Sequence, residues 1–278
     1  MITSLLVALD SSAHAKAALD HALELGRIYR ARLTGLHVID IRYLEMPPYL
    51  DYSYAFEAVP PTLAPLDMMD QFQAKSRRIL ADFREVVERD GLQADTRSEE
   101  GVPGQVIADV GDGHDLVIMG KRGEHAKWGR DLLGTAAEAV ARRSATPVLL
   151  VEEHYRPLNR ALLFFDGSHS ANRALKFAAD VVSKTKMQLR IVTIDDDREQ
   201  GERTLRDAEA YLEPLQVKAG YSVVPGRVSK VAAGLLGDDE VDLAILGMRG
   251  HSPLRHLILG GTAEQLMRSV ELPVLLVP

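Results

Sequence analysis

The 278-residue chain contains one ordered set of segments twice, and this internal repeat constrains its fold more than any other feature. The matching pairs are SLLVALDSSAHAKAALDHALELG (4–26) with RALLFFDGSHSANRALKFAADVV (160–182), DLVIMGKRG (115–123) with DLAILGMRG (242–250), and TPVLLVEE (146–153) with LPVLLVP (272–278). A repeat of this length and order indicates two copies of one structural unit.

Each copy alternates apolar strand patterns with amphipathic helix patterns. The second strands are RLTGLHVID (32–40) and QLRIVTIDD (188–196), and Ser11 or Ser12 is suited to cap the first helix. Strands this apolar, separated by helices, are typical of parallel sheets covered on both faces. The pattern therefore predicts an α/β fold made of two repeated, doubly wound parallel sheets with three α/β/α layers.

The repeat sets the domain boundaries at 1–153 and 158–278. Asp10 and Gly120 lie 110 positions apart, whereas Asp166 and Gly247 lie 81 apart, and the excess of 29 fits an insertion at 41–70. Five prolines there discourage regular structure, which leaves an ordered lid or interface segment and a disordered loop as alternatives. The short linker 152–159 predicts that the halves pack together.

Composition excludes several functions. A net charge of −7 and a pI near 5.7 argue against a nucleic-acid partner or binding to an anionic membrane. The absence of cysteine excludes thiol catalysis and fits a reducing compartment. The N-terminus has no basic signal-peptide region, and no apolar run reaches the length of a membrane span, so a cytoplasmic protein is expected.

Two loops of each copy end strands at the edge where doubly wound sheets bind ligands. They carry the aspartates Asp10 and Asp166 after strand one, and glycine groups after strand four. Glycines let backbone N–H groups approach phosphate oxygens, and helices starting near Thr135 or Thr262 would direct their positive ends at an anion. With a carboxylate to accept ribose hydroxyls, this predicts a mononucleotide site. The alternative is that the glycines only shape a tight strand–loop–helix connection.

The order strand–Asp, G-x2-G-x9-G-[S/T], PVLLV resembles the universal stress protein family, here in a tandem two-domain form. The resemblance implies a five-stranded sheet in each half, related to the adenine-nucleotide α-hydrolase-like fold, and ATP as ligand. It implies nucleotide-binding positions in the C-terminal half at Asp166, Thr193, Gly247, Gly250, Gly260, Gly261 and Thr262. The corresponding N-terminal positions are Asp10, Val38, Gly120, Gly123, Gly134, Thr135 and Ala136.

Neither half matches the motif fully. The C-terminal half keeps the nine-residue spacer but has Gly261 where Ser or Thr is usual, and Thr262 is the available substitute. The N-terminal half keeps Thr135, but its spacer has ten residues and contains Trp128 and the acidic residues Glu124 and Asp131. A phosphate tolerates the C-terminal loop better, since 247–263 contains no acidic residue. We therefore favour the C-terminal site.

Motifs for catalysis are missing. The chain has no Walker sequence and no G-x-G-x-x-G, and it lacks the loops of ATP pyrophosphatases and nucleotidylyltransferases. No catalytic residue or metal site is expected, and at most weak ATP hydrolysis. His251 and His256 are either neighbours of a bound phosphate or ordinary loop residues. His14 and His21 lack a third metal ligand and are expected on the surface. Ser11 and Ser168 are expected to cap helices rather than act as nucleophiles.

Three functions follow as hypotheses. The first is a stress-response protein that binds ATP, with or without Mg²⁺, as a regulatory ligand. The second is an interaction module with degenerate sites and no cofactor, acting on an unidentified protein partner. The third is a slow ATPase. In each case the halves should form an intramolecular pseudo-dimer through the PVLLV strands, and a further homodimer is left open.

Overall fold

The structure is a computed structural model that describes residues 2–43, 65–124, 134–237, 240–248 and 270–278. The elements of the N-terminal half are β1 (Ser4–Leu9), α1 (Ala13–Tyr29), β2 (Arg32–Asp40), a 3₁₀ turn (Ile41–Tyr43), α2 (Pro65–Arg89), β3 (Ala94–Gly101), α3 (Pro103–Gly111), β4 (Leu116–Gly120), α4 (Thr135–Arg143) and β5 (Val148–Val151).

The C-terminal half repeats this order as far as it is described. Its elements are β6 (Arg160–Phe164), α5 (His169–Thr185), β7 (Gln188–Ile194), α6 (Arg198–Leu212) with a 3₁₀ turn (Glu213–Leu215), β8 (Ala219–Val224), α7 (Val228–Leu236), β9 (Leu243–Gly247) and β10 (Val274–Val277).

The repeated first helices begin and end in the same way. The Ser12 hydroxyl accepts a hydrogen bond from Ala15 N at 3.1 Å, and the Ser168 hydroxyl accepts one from Ala171 N at 3.2 Å. These side chains satisfy backbone donors that a helix start otherwise leaves unpaired. Of the two serines considered for the first cap, Ser12 is therefore the one that forms it.

The ten strands of the described residues join one sheet in the order β3-β2-β1-β4-β5-β10-β9-β6-β7-β8. Within each half the strands are parallel, and the order reverses between β1 and β4 and again between β6 and β9. This confirms the predicted α/β fold with a doubly wound, five-stranded parallel sheet in each half.

The halves meet at β5 and β10, which pair antiparallel with Leu275 opposite Leu149. These strands belong to the two PVLLV segments, and their pairing is the expected pseudo-dimer contact. Because the pairing is antiparallel, the strand ends that carry the loops of one half lie at the opposite edge of the sheet from those of the other half.

Two apolar layers cover the sheet. The first contains Leu5 and Val7 together with residues of α1, α2, α5 and α6, and the second contains Leu6 and Ala8 together with residues of α3, α4 and α7. Alternate residues of β1 thus enter opposite layers, as the two-residue period of a strand requires. Both layers contain residues from both halves, so the core is continuous across the junction.

Part of the proposed 41–70 insertion is regular structure. Helix α2 begins at Pro65, so residues 65–70 are helical. Proline is tolerated in the first turn of a helix because its missing N–H would have no partner there. The expectation that prolines keep this whole stretch irregular is therefore wrong for 65–70, whereas 44–64 lie outside the described residues.

Candidate nucleotide site

Strand order reverses between β1 and β4, and the residues that follow these strands meet there. Gly123 is one of them: a Cβ on it would lie only 2.8 Å from Asp10 Oδ2. The structure therefore brings the aspartate and the glycine loop of the N-terminal half together, at the position where doubly wound sheets bind ligands.

Asp10 uses both carboxylate oxygens within the chain. Oδ1 accepts hydrogen bonds from the Ser12 backbone N–H at 2.9 Å and from the Ser12 hydroxyl at 2.5 Å. Oδ2 accepts one from Glu124 N at 3.1 Å. Burial raises the pKa of Asp10, although the Ser12 bonds oppose this rise, and the neighbouring charge of Glu124 adds to it.

Gly120 and Gly247 have a packing role at equivalent places. A Cβ on Gly120 would lie 2.4 Å from His14 Cβ, and one on Gly247 would lie 2.6 Å from the carbonyl carbon of Ser170. Each glycine thus lets the first helix of its half approach the sheet closely. This close approach accounts for both glycines without a ligand.

Gly134 lies across the loop that follows β4. Its N–H donates to the Lys121 carbonyl at 2.9 Å, and a Cβ on it would lie 3.0 Å from the same oxygen. Gly134 is also the residue before α4, whose start has no side-chain cap. The first backbone N–H groups of α4 therefore lie beside the glycine loop, as an anion site needs.

The other predicted N-terminal positions are less engaged. Thr135 is exposed at the first position of α4, and Ala136 follows it partly buried. Val38, in β2, is partly buried against the apolar layer that contains Leu36. Each remains a predicted contact.

Glu124 lies beside Asp10, and its carboxylate accepts hydrogen bonds from a backbone N–H and from a lysine. Its Oε1 accepts a hydrogen bond from Ser11 N at 2.7 Å, and its Oε2 forms an ion pair with Lys75 Nζ at 2.5 Å. Burial raises the pKa of Glu124, but the bonds from Lys75 and Ser11 outweigh it and hold the pKa below its usual value. The carboxylate is therefore ionised at neutral pH.

Sequence reasoning identified Glu124 as an acidic residue in the spacer but missed Lys75 and His37. Lys75 lies 49 positions away in α2, and no local pattern connects the two. His37 is buried in β2, and its Nδ1 has no hydrogen-bond partner in the part of the chain that the structure describes. Burial lowers its pKa, and the charges of Glu124 and Lys75 both affect it. Its place just before Val38 was the available signal.

In the C-terminal half, Asp166 is exposed and less engaged than Asp10. Its Oδ1 accepts a hydrogen bond from Ser168 N at 3.0 Å, and within the described part of the chain Oδ2 accepts none. Thr193 is buried, and its hydroxyl donates to the Phe165 carbonyl at 2.7 Å. The further positions predicted for this half lie outside the described residues, together with His251 and His256: Gly250, Gly260, Gly261 and Thr262.

The expectation that His14 and His21 lie on the surface is wrong. His14 is 7% exposed and His21 is fully buried. The ring of His21 packs on Tyr155 of the linker, with 4.8 Å between ring centroids. Both histidines are on the face of α1 that packs onto the sheet or the linker, and burial lowers both pKa values, that of His21 to about 4.

Lys121, in the glycine loop, is buried at the junction of the halves. Its Nζ donates to the carbonyls of Val270 at 2.7 Å and Leu272 at 2.9 Å, and it pairs with Glu152 at 2.6 Å. Met248 occupies the equivalent place in the C-terminal half. The lysine thus connects one loop after β4 to the segment that leads into β10.

No helix among the described residues has the length and apolar composition needed to cross a bilayer.

Known proteins share both the sequence pattern and the fold. Universal stress protein Slr1230 from Synechocystis sp. is 28% identical over 204 residues, which cover 72% of this chain and 71% of that protein. A universal stress protein from Thermus aquaticus is 30% identical over 151 residues, covering 54% of this chain and 99% of that relative. A crystal structure of a universal stress protein from Archaeoglobus fulgidus matches with a TM-score of 0.79 at 23% identity, covering 99% of this chain and 97% of that one, and shows the same fold.

A model of the Universal stress protein family matches residues 1–152 and again residues 157–278. Because the two matches together cover nearly the whole chain, the protein belongs to the universal stress protein family, as a tandem form with two copies of the family domain.

Proposed function

We propose that the protein binds adenine nucleotide, with ATP as the expected form, through its C-terminal half, and that the nucleotide acts as a regulatory ligand. The observation that carries this proposal is the contrast between the two aspartates. Asp166 is exposed, whereas Asp10 is partly buried and has both oxygens hydrogen-bonded within the chain. An exposed carboxylate can accept ribose hydroxyls.

Charge supports the same half. The segment 247–263 contains Arg249 and Arg255 and no acidic residue. In the N-terminal half the ionised carboxylate of Glu124 lies next to Asp10. Two unit charges 4 Å apart interact by about 4 kcal/mol at an effective dielectric constant near 20, so a phosphate placed beside Glu124 would be strongly disfavoured.

A binding role without a nucleotide is the second candidate, and two observations favour it. The Thr193 hydroxyl, at a predicted nucleotide-binding position, is buried and donates a hydrogen bond to the Phe165 carbonyl. Gly120 and Gly247 also have a packing role of their own. A module with inherited loop shape and no nucleotide would keep these features.

The first test is whether purified protein contains or binds nucleotide. We expect nucleotide in the supernatant after denaturation, and heat on titration of ATP by calorimetry. Replacement of Asp166 by Ala should weaken binding by roughly 1–3 kcal/mol, the cost of leaving polar ligand groups unpaired, whereas Asp10→Ala is the matched control and should have little effect.

The outcomes separate the candidates. No released nucleotide and no heat at millimolar ATP would leave the interaction module. Binding that survives Asp166→Ala and is lost with Asp10→Ala would move the site to the N-terminal half. Steady magnesium-dependent release of phosphate would favour the slow ATPase.

A further inference from the structure

The carboxylate of Glu124 occupies a position in the N-terminal half that is built for an anion. It accepts the Ser11 backbone N–H at 2.7 Å, next to the start of α1, and it pairs with the Lys75 ammonium at 2.5 Å. A backbone N–H near a helix start and a lysine are the donors that also bind phosphate oxygens.

Several contacts fix Glu124 in this position. Its own N–H donates to Asp10 Oδ2 at 3.1 Å, so backbone and side chain together span the ends of β1 and β4. Gly123 has no room for a Cβ on that side, because one would lie 2.8 Å from the same Asp10 oxygen. The side chains of Glu124 and Lys75 are only 21% and 34% exposed. Glu124 is therefore a partly buried carboxylate whose two oxygens both accept hydrogen bonds, and not a surface charge.

The surroundings contain a second sign of a binding site. His37 is 8% exposed, and its Nδ1 has no hydrogen-bond partner among the described residues. Buried polar nitrogens normally have partners. The charges of Glu124 and Lys75 both act on this ring, so it lies near the ion pair.

The C-terminal half differs at this point in sequence. The residue equivalent to Glu124, which follows the second glycine of the loop, is His251, and the loop carries no carboxylate. Only the N-terminal loop therefore supplies an anion of its own.

We propose that Glu124 is an internal substitute for a ligand phosphate, which keeps the N-terminal site closed to phosphate-bearing ligands. This inference rests on the proposed function, because it treats the two halves as nucleotide-binding sites of the same kind. Once Glu124 is removed, Ser11 N–H and Lys75 become available, and the N-terminal half binds the phosphate groups of a nucleotide.

The test is the stoichiometry of ATP binding measured by calorimetry. Wild type is expected to bind one equivalent, and Glu124→Ala two. In an Asp166→Ala background, which disables the C-terminal site, Glu124→Ala should strengthen the remaining binding by about ten-fold or more, because a like charge is removed and two donors are freed.

Three variants serve as controls. Glu85→Ala removes an equally charged residue of α2 that is paired with Arg89 on the surface, and it should leave stoichiometry unchanged. Lys75→Ala added to Glu124→Ala should abolish the gain. Glu124→Gln keeps the shape of the side chain, and it should give a smaller gain even if Glu124→Ala is poorly folded by circular dichroism.

The results for Glu124 and for wild type are independent. One equivalent in both wild type and Glu124→Ala would overturn the role of Glu124 while leaving the C-terminal site in place. No binding in wild type with binding in Glu124→Ala would support the role of Glu124 and overturn the C-terminal site. No gain in either Glu124 variant, with both folded, overturns this inference whatever wild type binds.

Discussion

The glycine that ends β9 is enclosed by the start of α5. A Cβ at Gly247 would meet the Ser170 carbonyl carbon at 2.6 Å and the Ala171 nitrogen at 2.7 Å, and both are backbone atoms that cannot rotate away. Overpacking against backbone forces the helix and the strand apart. A glycine in a nucleotide-type loop can therefore be required by the scaffold itself.

Gly247→Ala should lower the free energy of unfolding by about 1–3 kcal/mol, the usual cost of overpacking. The matched control is Gly234→Ala, since Gly234 lies within α7 and a Cβ there meets nothing within 4 Å. That change should stabilise the protein by roughly 0.5–1 kcal/mol through helix propensity. Urea unfolding measures both, and equal midpoints for the two variants would contradict the packing role.

At the scale of a whole element, helix α1 carries a buried histidine, His21, whose protonation makes stability depend on pH. Burial holds the pKa of His21 at about 4, below the 6.5 of a free histidine. Between these values the unfolded chain binds a proton that the folded chain does not. Stability therefore falls as the pH drops through the window from 6.5 to 4.

Replacement of His21 by Phe should flatten this part of the pH profile. We expect wild type to lose about 2–3 kcal/mol more than His21→Phe between pH 7 and pH 4, since each pKa unit corresponds to about 1.4 kcal/mol. His154→Gln is the control, because the side chain of His154 is 87% exposed. Denaturant unfolding at several pH values gives the result, and parallel profiles for wild type and His21→Phe would rule out this role.

What could be predicted from sequence depended on how far apart the interacting residues lie. The strands, the cap at Ser168 and the meeting of Asp10 with Gly123 follow from local patterns and the rules of parallel sheets. The pair Lys75–Glu124 could not be predicted, because the position of α2 depends on tertiary packing after a long connection. The burial of His14 and His21 was missed because a histidine on an amphipathic helix is compatible with either face until the packing partner is known.

At the scale of the whole molecule, Lys121 connects the halves. Its side chain is 3% exposed and donates hydrogen bonds to two backbone carbonyls of the segment before β10. Glu152 supplies the opposite charge. Burial lowers its pKa, and Glu152 opposes that shift. Unlike the apolar strands β5 and β10, this contact depends on a single side chain.

Lys121→Met, which copies the equivalent residue Met248, should destabilise the chain by about 1–3 kcal/mol because the carbonyls of Val270 and Leu272 lose their donor. Lys16→Met on the exposed face of α1 is the control. Thermal unfolding is expected to show one transition in wild type, as a shared core implies, and a lower midpoint in Lys121→Met. An unchanged midpoint would mean that water replaces the lysine at no cost.

The antiparallel pairing of β5 with β10 places an approximate two-fold axis inside one polypeptide. In a dimer of identical chains, any substitution appears on both sides of such an axis. Here a substitution changes one side alone. Equivalent positions can therefore carry different residues, as Lys121 and Met248 do, and as Glu124 and His251 do. Selection can therefore act on the two nucleotide-type sites separately, favouring ligand binding at one and packing of the scaffold at the other. Every molecule then contains one site of each kind.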